Sequence, residues 1–160
     1  MKTKVFSTLV ILLMFVAISQ AQDYKTAVGG KVGFGLVASY KAFLNESAAV
    51  DVFGGIHWGG GLMAGVNYSI HKDIPAVDRL KWYYGAGANF FSYGGAFGFK
   101  NWFEFGVSGN IGLDYSFEEM PLNVSLDYVP TIVILENDDF DRFNRLRTGY
   151  GALTVRYILN

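Results

Sequence analysis

The 160-residue chain has no cysteine, only 3 prolines and only 2 histidines. Without cysteine the fold cannot rest on a disulfide framework. Beyond the N-terminal segment there is no uninterrupted apolar run of about 18 residues, which excludes helical membrane spans. What the chain does contain is 51% hydrophobic residues, 17% aromatic residues and 20 glycines. A hydrophobic chain without spanning helices points toward strands.

The N-terminus has the three-part layout of a secretory signal peptide. Met1–Lys4 carries two lysines, Val5–Ile18 is almost wholly apolar, and Ser19-Gln20-Ala21 supplies small residues at a cleavage site. We expect cleavage after Ala21, so that residues 1–21 are removed and residues 22–160 form a single domain. The alternative is an anchor helix that is retained. Cleavage removes two of the 13 basic residues, leaving 11 against 14 acidic ones, and no basic surface for nucleic acid is expected.

A period of two dominates the rest of the chain. In Phe103–Phe117 every odd position is apolar, aromatic or glycine, and every even position is small, polar or charged. Such alternation predicts a β-strand, because successive side chains leave opposite faces. Seven strands are readable: Val28–Tyr40, Ala48–Trp58, Leu62–His71, Trp82–Phe90, Phe103–Phe117, Leu122–Ile132 and Gly149–Leu159.

The size of the residues on each face indicates which one meets the interior. The face opposite the apolar one is rich in glycine and serine, which suit the crowded interior of a narrow barrel better than an exposed strand surface. The apolar face carries aromatic residues near strand ends, as interfacial girdles do: Tyr40, Trp58, Tyr68, Trp82, Tyr84, Tyr115 and Tyr157. We therefore expect an all-β, antiparallel up-and-down transmembrane β-barrel whose apolar face meets lipid.

The predicted topology leaves one strand unaccounted for. If the last strand ends in the periplasm, segments 72–79 and 118–121 are periplasmic and loops 92–101 and 136–147 are extracellular. Seven strands would then leave the N-terminus outside, whereas bacterial barrels normally have even strand numbers. Either residues 23–28 add a short strand that turns at Gly29-Gly30, or a predicted strand contains a missed division. We expect about eight strands.

Several segments resemble small outer-membrane β-barrel proteins common in Bacteroidetes. The resemblance is carried by SYKAFLNESAAVDVFGGIHW (39–58), WYYGAGANF (82–90), LDYSFEEMPLNVSLDYVP (113–130) and ALTVRYIL (152–159). It implies a porin-like β-barrel in the outer membrane of a Gram-negative cell, in contact with lipid and lipopolysaccharide and assembled by the barrel-insertion machinery. That machinery usually reads a terminal aromatic residue, whereas this chain ends Leu159-Asn160. The resemblance implies no catalytic residue.

Seven charged residues fall on the inward face, three basic and four acidic. Charges in a narrow lumen are costly unless paired, so we predict an ion-pair network that bridges strands. A structural plug is favoured over a conduction path, because side chains fill the interior of an eight-stranded barrel. The predicted network comprises Lys31, Asp51, Lys81, Glu104, Asp114, Asp127 and Arg156.

Other constellations favour structural interpretations. His57 and His71 lie at opposite ends of the predicted barrel, so they cannot share a metal, and neither has a partnered nucleophile. The acidic run 136–141, followed by three arginines, fits a solvated loop better than a cation or lipopolysaccharide contact. Aromatic residues around loop 92–101 fit an outer girdle, or alternatively a cup for a hydrophobic ligand or partner.

We therefore predict a non-enzymatic outer-membrane barrel without cofactor or metal, with a structural or surface-interaction role. An unknown surface partner would be reached through loops 92–101 and 136–147. The alternatives are a narrow pore or lateral transporter for small or hydrophobic solutes, a membrane-embedded lipid hydrolase or acyltransferase, and a soluble ligand-binding barrel with the two faces exchanged.

Overall fold

The computed structural model describes residues 24–93, 102–136 and 145–159, and every regular element in these ranges is a β-strand. No helix in the described part is long and apolar enough to cross a membrane. The proposed signal peptide lies outside the described residues. The strands are β1 (Thr26–Val32), β2 (Gly35–Phe43), β3 (Ala48–His57), β4 (Gly61–Asp73), β5 (Leu80–Tyr93), β6 (Trp102–Ser116), β7 (Leu122–Tyr128), β8 (Thr131–Glu136), β9 (Leu146–Arg147) and β10 (Gly151–Ile158).

Eight of these strands close into a ring. Each strand from β1 to β7 pairs antiparallel with the next, β7 pairs with β10, and β10 pairs with β1. Closure leaves no free sheet edge around the circuit. The predicted all-β, antiparallel up-and-down barrel of about eight strands is confirmed.

The short strands β8 and β9 lie outside the closed circuit and lengthen its wall. β8 first pairs with β6 in the register already set by β7 and shifts by one residue between Gly106 and Phe105, and β9 pairs with β8. The prediction of one strand over Leu122–Ile132 was wrong, because Val129 and Pro130 interrupt it. Pro130 has no N–H to give to the ladder, although its carbonyl still accepts a hydrogen bond from the Gly109 N–H at 3.0 Å.

The missing eighth strand comes from a division inside Val28–Tyr40, where a single strand was predicted. β1 ends at Val32 and β2 begins at Gly35, with Val32 opposite Leu36. Residues paired in this register are both even or both odd, so the alternation passes through the turn without a change of phase. The turn is therefore invisible to periodicity, and the alternative turn at Gly29-Gly30 was wrong because both glycines lie within β1.

The two ends of the barrel differ in which connections they carry. The terminal end holds Thr26, Ile158 and the turns at 74–79 and 117–121. The loop end holds the turns at 33–34 and 58–60 and the strand ends that flank residues 94–101 and 137–144. The expected grouping of connections is confirmed, and the first strand begins at the same end of the barrel at which the last strand finishes, as an even strand number requires.

The barrel is apolar outside and polar inside. In the described ranges, thirty large hydrophobic side chains are exposed, whereas nineteen polar or charged residues and twelve hydrophobic ones are buried. A water-soluble barrel has the opposite distribution, with large apolar side chains filling its centre. The apolar face thus points outward, as its alternation with small residues predicts.

Candidate functional site

The lumen of the barrel is the candidate site, because it collects the buried charges. At mid-height Asp51 is the centre of one group. The Lys31 ammonium lies 2.7 Å and the Arg156 guanidinium 2.9 Å from its carboxylate, and the Ser39 hydroxyl donates to it at 2.6 Å. Lys31 also contacts Asp127 at 3.2 Å. All four charged side chains are buried, so each charge has its partner inside the barrel.

A second group surrounds Asp114 nearer the terminal end. Its carboxylate forms an ion pair with Lys41 and accepts hydrogen bonds from Asn123 at 2.5 Å and from the Tyr24 hydroxyl at 3.3 Å. The Lys41 ammonium also lies 5.1 Å from the ring centroid of Tyr83, a cation–π distance. Burial and the Asp114 carboxylate both raise the pKa of the Tyr24 hydroxyl well above its ordinary value, so Tyr24 remains a donor.

The pair between Lys41 and Asp114 spans the lumen. Lys41 lies on β2 and Asp114 on β6, which are four places apart in either direction around the ring of eight. Arg156 on β10 likewise reaches across to Asp51 on β3. Side chains from opposite walls therefore meet in the middle of the barrel.

At the loop end, apolar and aromatic side chains fill the lumen in place of ion pairs. Val37, Phe53, Met63 and Phe91 form a buried apolar cluster, with Phe34, Tyr93 and Tyr150 packed against it. The rings of Phe91 and Tyr150 stack with centroids 5.0 Å apart. Beside this cluster the fully buried Glu104 forms an ion pair with Arg147.

Inward glycines make room for large neighbours on the next strand. Gly87 lies opposite Asn67, Gly65 opposite Asn89, and Gly85 opposite Asn110. The asparagine side chains lie over these glycines, where any Cβ atom would overlap the amide oxygen. Tyr83 lies over Gly112 in the same way. The glycine-rich face is thus what allows asparagine and tyrosine side chains to fit inside a narrow barrel.

The seven charged residues predicted from the sequence are placed in three locations. Lys31, Asp51, Asp114, Asp127 and Arg156 lie in the two central groups, and Glu104 lies apart near the loop end. Lys81 lies at the rim, where its ammonium is 3.7 Å from Asp73.

The prediction missed Lys41, the cation that pairs with Asp114. The predicted first strand ended at Tyr40, three residues too early, because the structure continues β2 to Phe43. Extending the alternation by one position would have found Lys41, since it shares the parity of the inward Lys31 and Ser39. Arg147 was also missed, because it was assigned to a loop.

The seven predicted girdle residues all lie on the outer wall, but six of them lie toward the terminal end. Trp58 stands alone at the loop end, where its indole N–H donates to the Gly33 carbonyl at 2.6 Å. Trp82 and Tyr84 stack with centroids 5.3 Å apart. The predicted girdle is thus one band near the terminal end, with Trp58 at the other end of the barrel. The band comprises Tyr40, Tyr68, Trp82, Tyr84, Tyr115 and Tyr157.

The two histidines lie far apart, as predicted. His57 is at the loop end among the rings of Phe91, Tyr93 and Tyr150, and His71 stacks on Tyr83 near the terminal end. Within residues 24–93, 102–136 and 145–159, no group of three or more His, Cys, Asp or Glu side chains could hold a metal ion.

Most of the two predicted partner loops lies outside the described residues, namely 94–101 and 137–144. This includes nearly all of the acidic run 136–141 and part of the aromatic set around loop 92–101. At the base of the first loop, Tyr93 and Trp102 stack with centroids 4.5 Å apart. The strand ends that carry the loop are therefore held together by an aromatic pair.

No family model, curated protein or solved structure matches the chain.

Proposed function

We propose that this protein is a non-enzymatic integral β-barrel of the bacterial outer membrane, related to the small Bacteroidetes barrels that its sequence resembles. Its lumen is plugged by side chains, and its role is structural or is exerted at the surface through loops 92–101 and 136–147. The observation that carries the proposal is the inverted distribution of residues, with an apolar outer wall around a polar, charged lumen. Such a wall is stable next to hydrocarbon and is a large aggregation-prone surface in water.

The band of aromatic residues supports the same placement. Tryptophan and tyrosine concentrate where a membrane meets water, since their rings are apolar and their N–H or O–H groups are polar. With the terminal end in the periplasm, the band lies at the inner interface and Trp58 at the outer one. On this proposal the outer wall contacts lipid and lipopolysaccharide, and the barrel-insertion machinery assembles the protein into the membrane.

Cross-lumen contacts favour a plug over the alternative of a narrow pore. An open path would have to pass both the pair between Lys41 and Asp114 and the aromatic cluster at the loop end. Bulky substitutions at Gly87 or Gly106 would not narrow a pore selectively, because an added Cβ atom would overlap backbone carbonyl oxygens of the adjacent strand. Planar-bilayer recordings should therefore show no steady single-channel steps for the wild-type protein, and regular steps would support the pore instead.

The placement is tested by membrane fractionation combined with gel mobility. The protein should be found in the outer-membrane fraction, and unheated samples should migrate differently from boiled ones, because a closed membrane barrel stays folded in cold detergent. A soluble periplasmic protein with identical mobility in both samples would contradict the proposal. It would instead favour the soluble ligand-binding barrel.

A further inference from the structure

The outer wall is not smooth toward the terminal end. A groove of about 540 Å³ crosses β5, β6, β7 and β10 on the lipid-facing side, and its lining is apolar. Two outward rows of residues line it, where a row joins the residues that are paired from strand to strand. One row contains Trp82, Leu113 and Leu126, and the other contains Ile111, Tyr128 and Gly151. The groove is defined by Trp82, Ile111, Leu113, Leu126, Tyr128 and Gly151.

Gly151 contributes to the groove by lacking a side chain. It lies in the same outward row as Ile111 and Tyr128, at a position where the neighbouring rows carry large residues such as Leu153. A Cβ atom there would meet only the Asp127 carbonyl oxygen, at 3.4 Å, which is close to ordinary van der Waals contact. The gap in the wall therefore does not serve the packing of the strands.

A cation lies beside the groove at the terminal end. The Lys72 ammonium is 5.7 Å from the ring centroid of Trp82, which lines the groove, and 5.6 Å from that of Tyr84. Lys72 is exposed and directly opposite Trp82 in the register, one residue from the end of β4. Among the described residues no carboxylate lies within 4.0 Å of Lys72, and its neighbour Asp73 is paired with Lys81.

An apolar channel with a cation at its membrane-surface end matches an anionic phospholipid. The hydrocarbon chain would fill the groove, and the headgroup phosphate would meet the ammonium that the two aromatic rings hold in place. We propose that this groove is a binding site for one chain of an anionic phospholipid, with Lys72 as the phosphate contact. This inference rests on the proposed membrane placement, but it can fail separately from it.

The test uses Trp82 as the reporter. The variant Trp58→Phe/Trp102→Phe leaves Trp82 as the one tryptophan, and it is refolded into phosphatidylcholine vesicles that contain a small fraction of brominated lipid, which quenches indole fluorescence on contact. Brominated phosphatidylglycerol is compared with brominated phosphatidylcholine at the same fraction. We expect quenching to report about a fivefold enrichment of the anionic lipid, the factor that one lysine near an anionic surface contributes.

Two matched pairs of variants locate the effect. Lys72→Gln should bring the enrichment close to one, whereas Lys25→Gln, which removes a lysine at the same end but three strands away, should leave it unchanged. Gly151→Leu should fill the groove and reduce quenching by the anionic lipid. Gly30→Leu is its control, because Gly30 is also outward with open space and its nearest atom would lie 3.9 Å away.

The outcomes separate the two proposals. Equal quenching by both lipids in the reporter protein, or an enrichment that survives Lys72→Gln, overturns the lipid site and leaves the membrane barrel standing. No quenching by either lipid contradicts the membrane placement, and the lipid site with it. Quenching that rises as the protein is diluted in lipid would mean that a second copy of the chain covers the groove, which also overturns the lipid site.

Discussion

The ion pair between Lys41 and Asp114 permits a quantitative test of the plugged lumen. The change is Lys41→Met, which keeps the length and most of the apolar stem of the side chain but removes the ammonium group. Both partners are buried, with side-chain exposures of 3% and 2%. The variant therefore leaves a carboxylate in the lumen without its cation.

Removing one partner of a buried pair costs about 3–5 kcal/mol, since the remaining charge is uncompensated. Asp114 would keep the hydrogen bonds from Tyr24 and Asn123, which places the expected loss near the lower limit, at about 3 kcal/mol. The double variant Lys41→Met/Asp114→Asn removes both charges and should lie within about 1.5 kcal/mol of wild type, because replacing a buried pair by neutral groups is often nearly neutral.

The free energy of unfolding is measured by urea titration of the refolded protein in vesicles, for wild type, both single variants and the double variant. Lys25→Met is the control, since this lysine precedes β1 and has no carboxylate within 4.0 Å among the described residues. A lumen plugged by this ion pair requires the two single variants to be more destabilised than the double variant. If Lys41→Met alone changes stability by less than about 1 kcal/mol, the pair does not span a dry lumen and the plug is wrong.

Three further predictions concern the wall and the lumen, each read as a free energy of unfolding. Gly85→Ala should cost about 3 kcal/mol or more, because its Cβ atom would overlap a backbone carbonyl oxygen of β4. The control Gly30→Ala, at an open outward site, should stay within about 1 kcal/mol of wild type. Equal costs for the two variants would contradict the tight packing at Gly85. Glu104→Gln should cost about 1–3 kcal/mol, less than Lys41→Met, since its partner Arg147 is 21% exposed and can be solvated. A cost larger than that of Lys41→Met would contradict this ranking of the two ion pairs. Tyr24→Phe should cost about 1.5–3 kcal/mol at pH 8. The difference from wild type should shrink as the pH rises above 10, because a raised pKa in the folded state gives stability that is lost at high pH. A difference that grows with pH would contradict the donor role of Tyr24.

The fold followed from the sequence wherever alternation alone was informative. The period of two located most strands within a few residues, and the size of the two faces predicted which one is outward. The division after Val32 could not be found this way, because the turn preserves the parity of the pattern. The interruption at Pro130 left the register along β6 unchanged, so the pattern again continued past it.

The lumen was less predictable than the wall. Inward parity identified Lys31, Asp51, Asp114 and Arg156, but it could not say which cation meets which carboxylate. That depends on the stagger of strands around the ring, which brings β2 opposite β6. Lys41 was missed because the predicted strand ended at Tyr40, three residues before the end of β2.

Contact between the apolar outer wall and lipid can be tested directly by site-directed spin labelling, because the chain has no cysteine. Single cysteines would be placed in turn along β10 from Ala152 to Tyr157, and each label would be tested in native membranes for collision with oxygen, which enters lipid, and with a water-soluble nickel chelate. If the outer wall meets lipid, labels at 153, 155 and 157 should show high oxygen and low nickel accessibility, and labels at 152, 154 and 156 should show low values for both reagents. High nickel accessibility at 153 and 155 would mean that the apolar wall faces water and that the protein is not a membrane barrel.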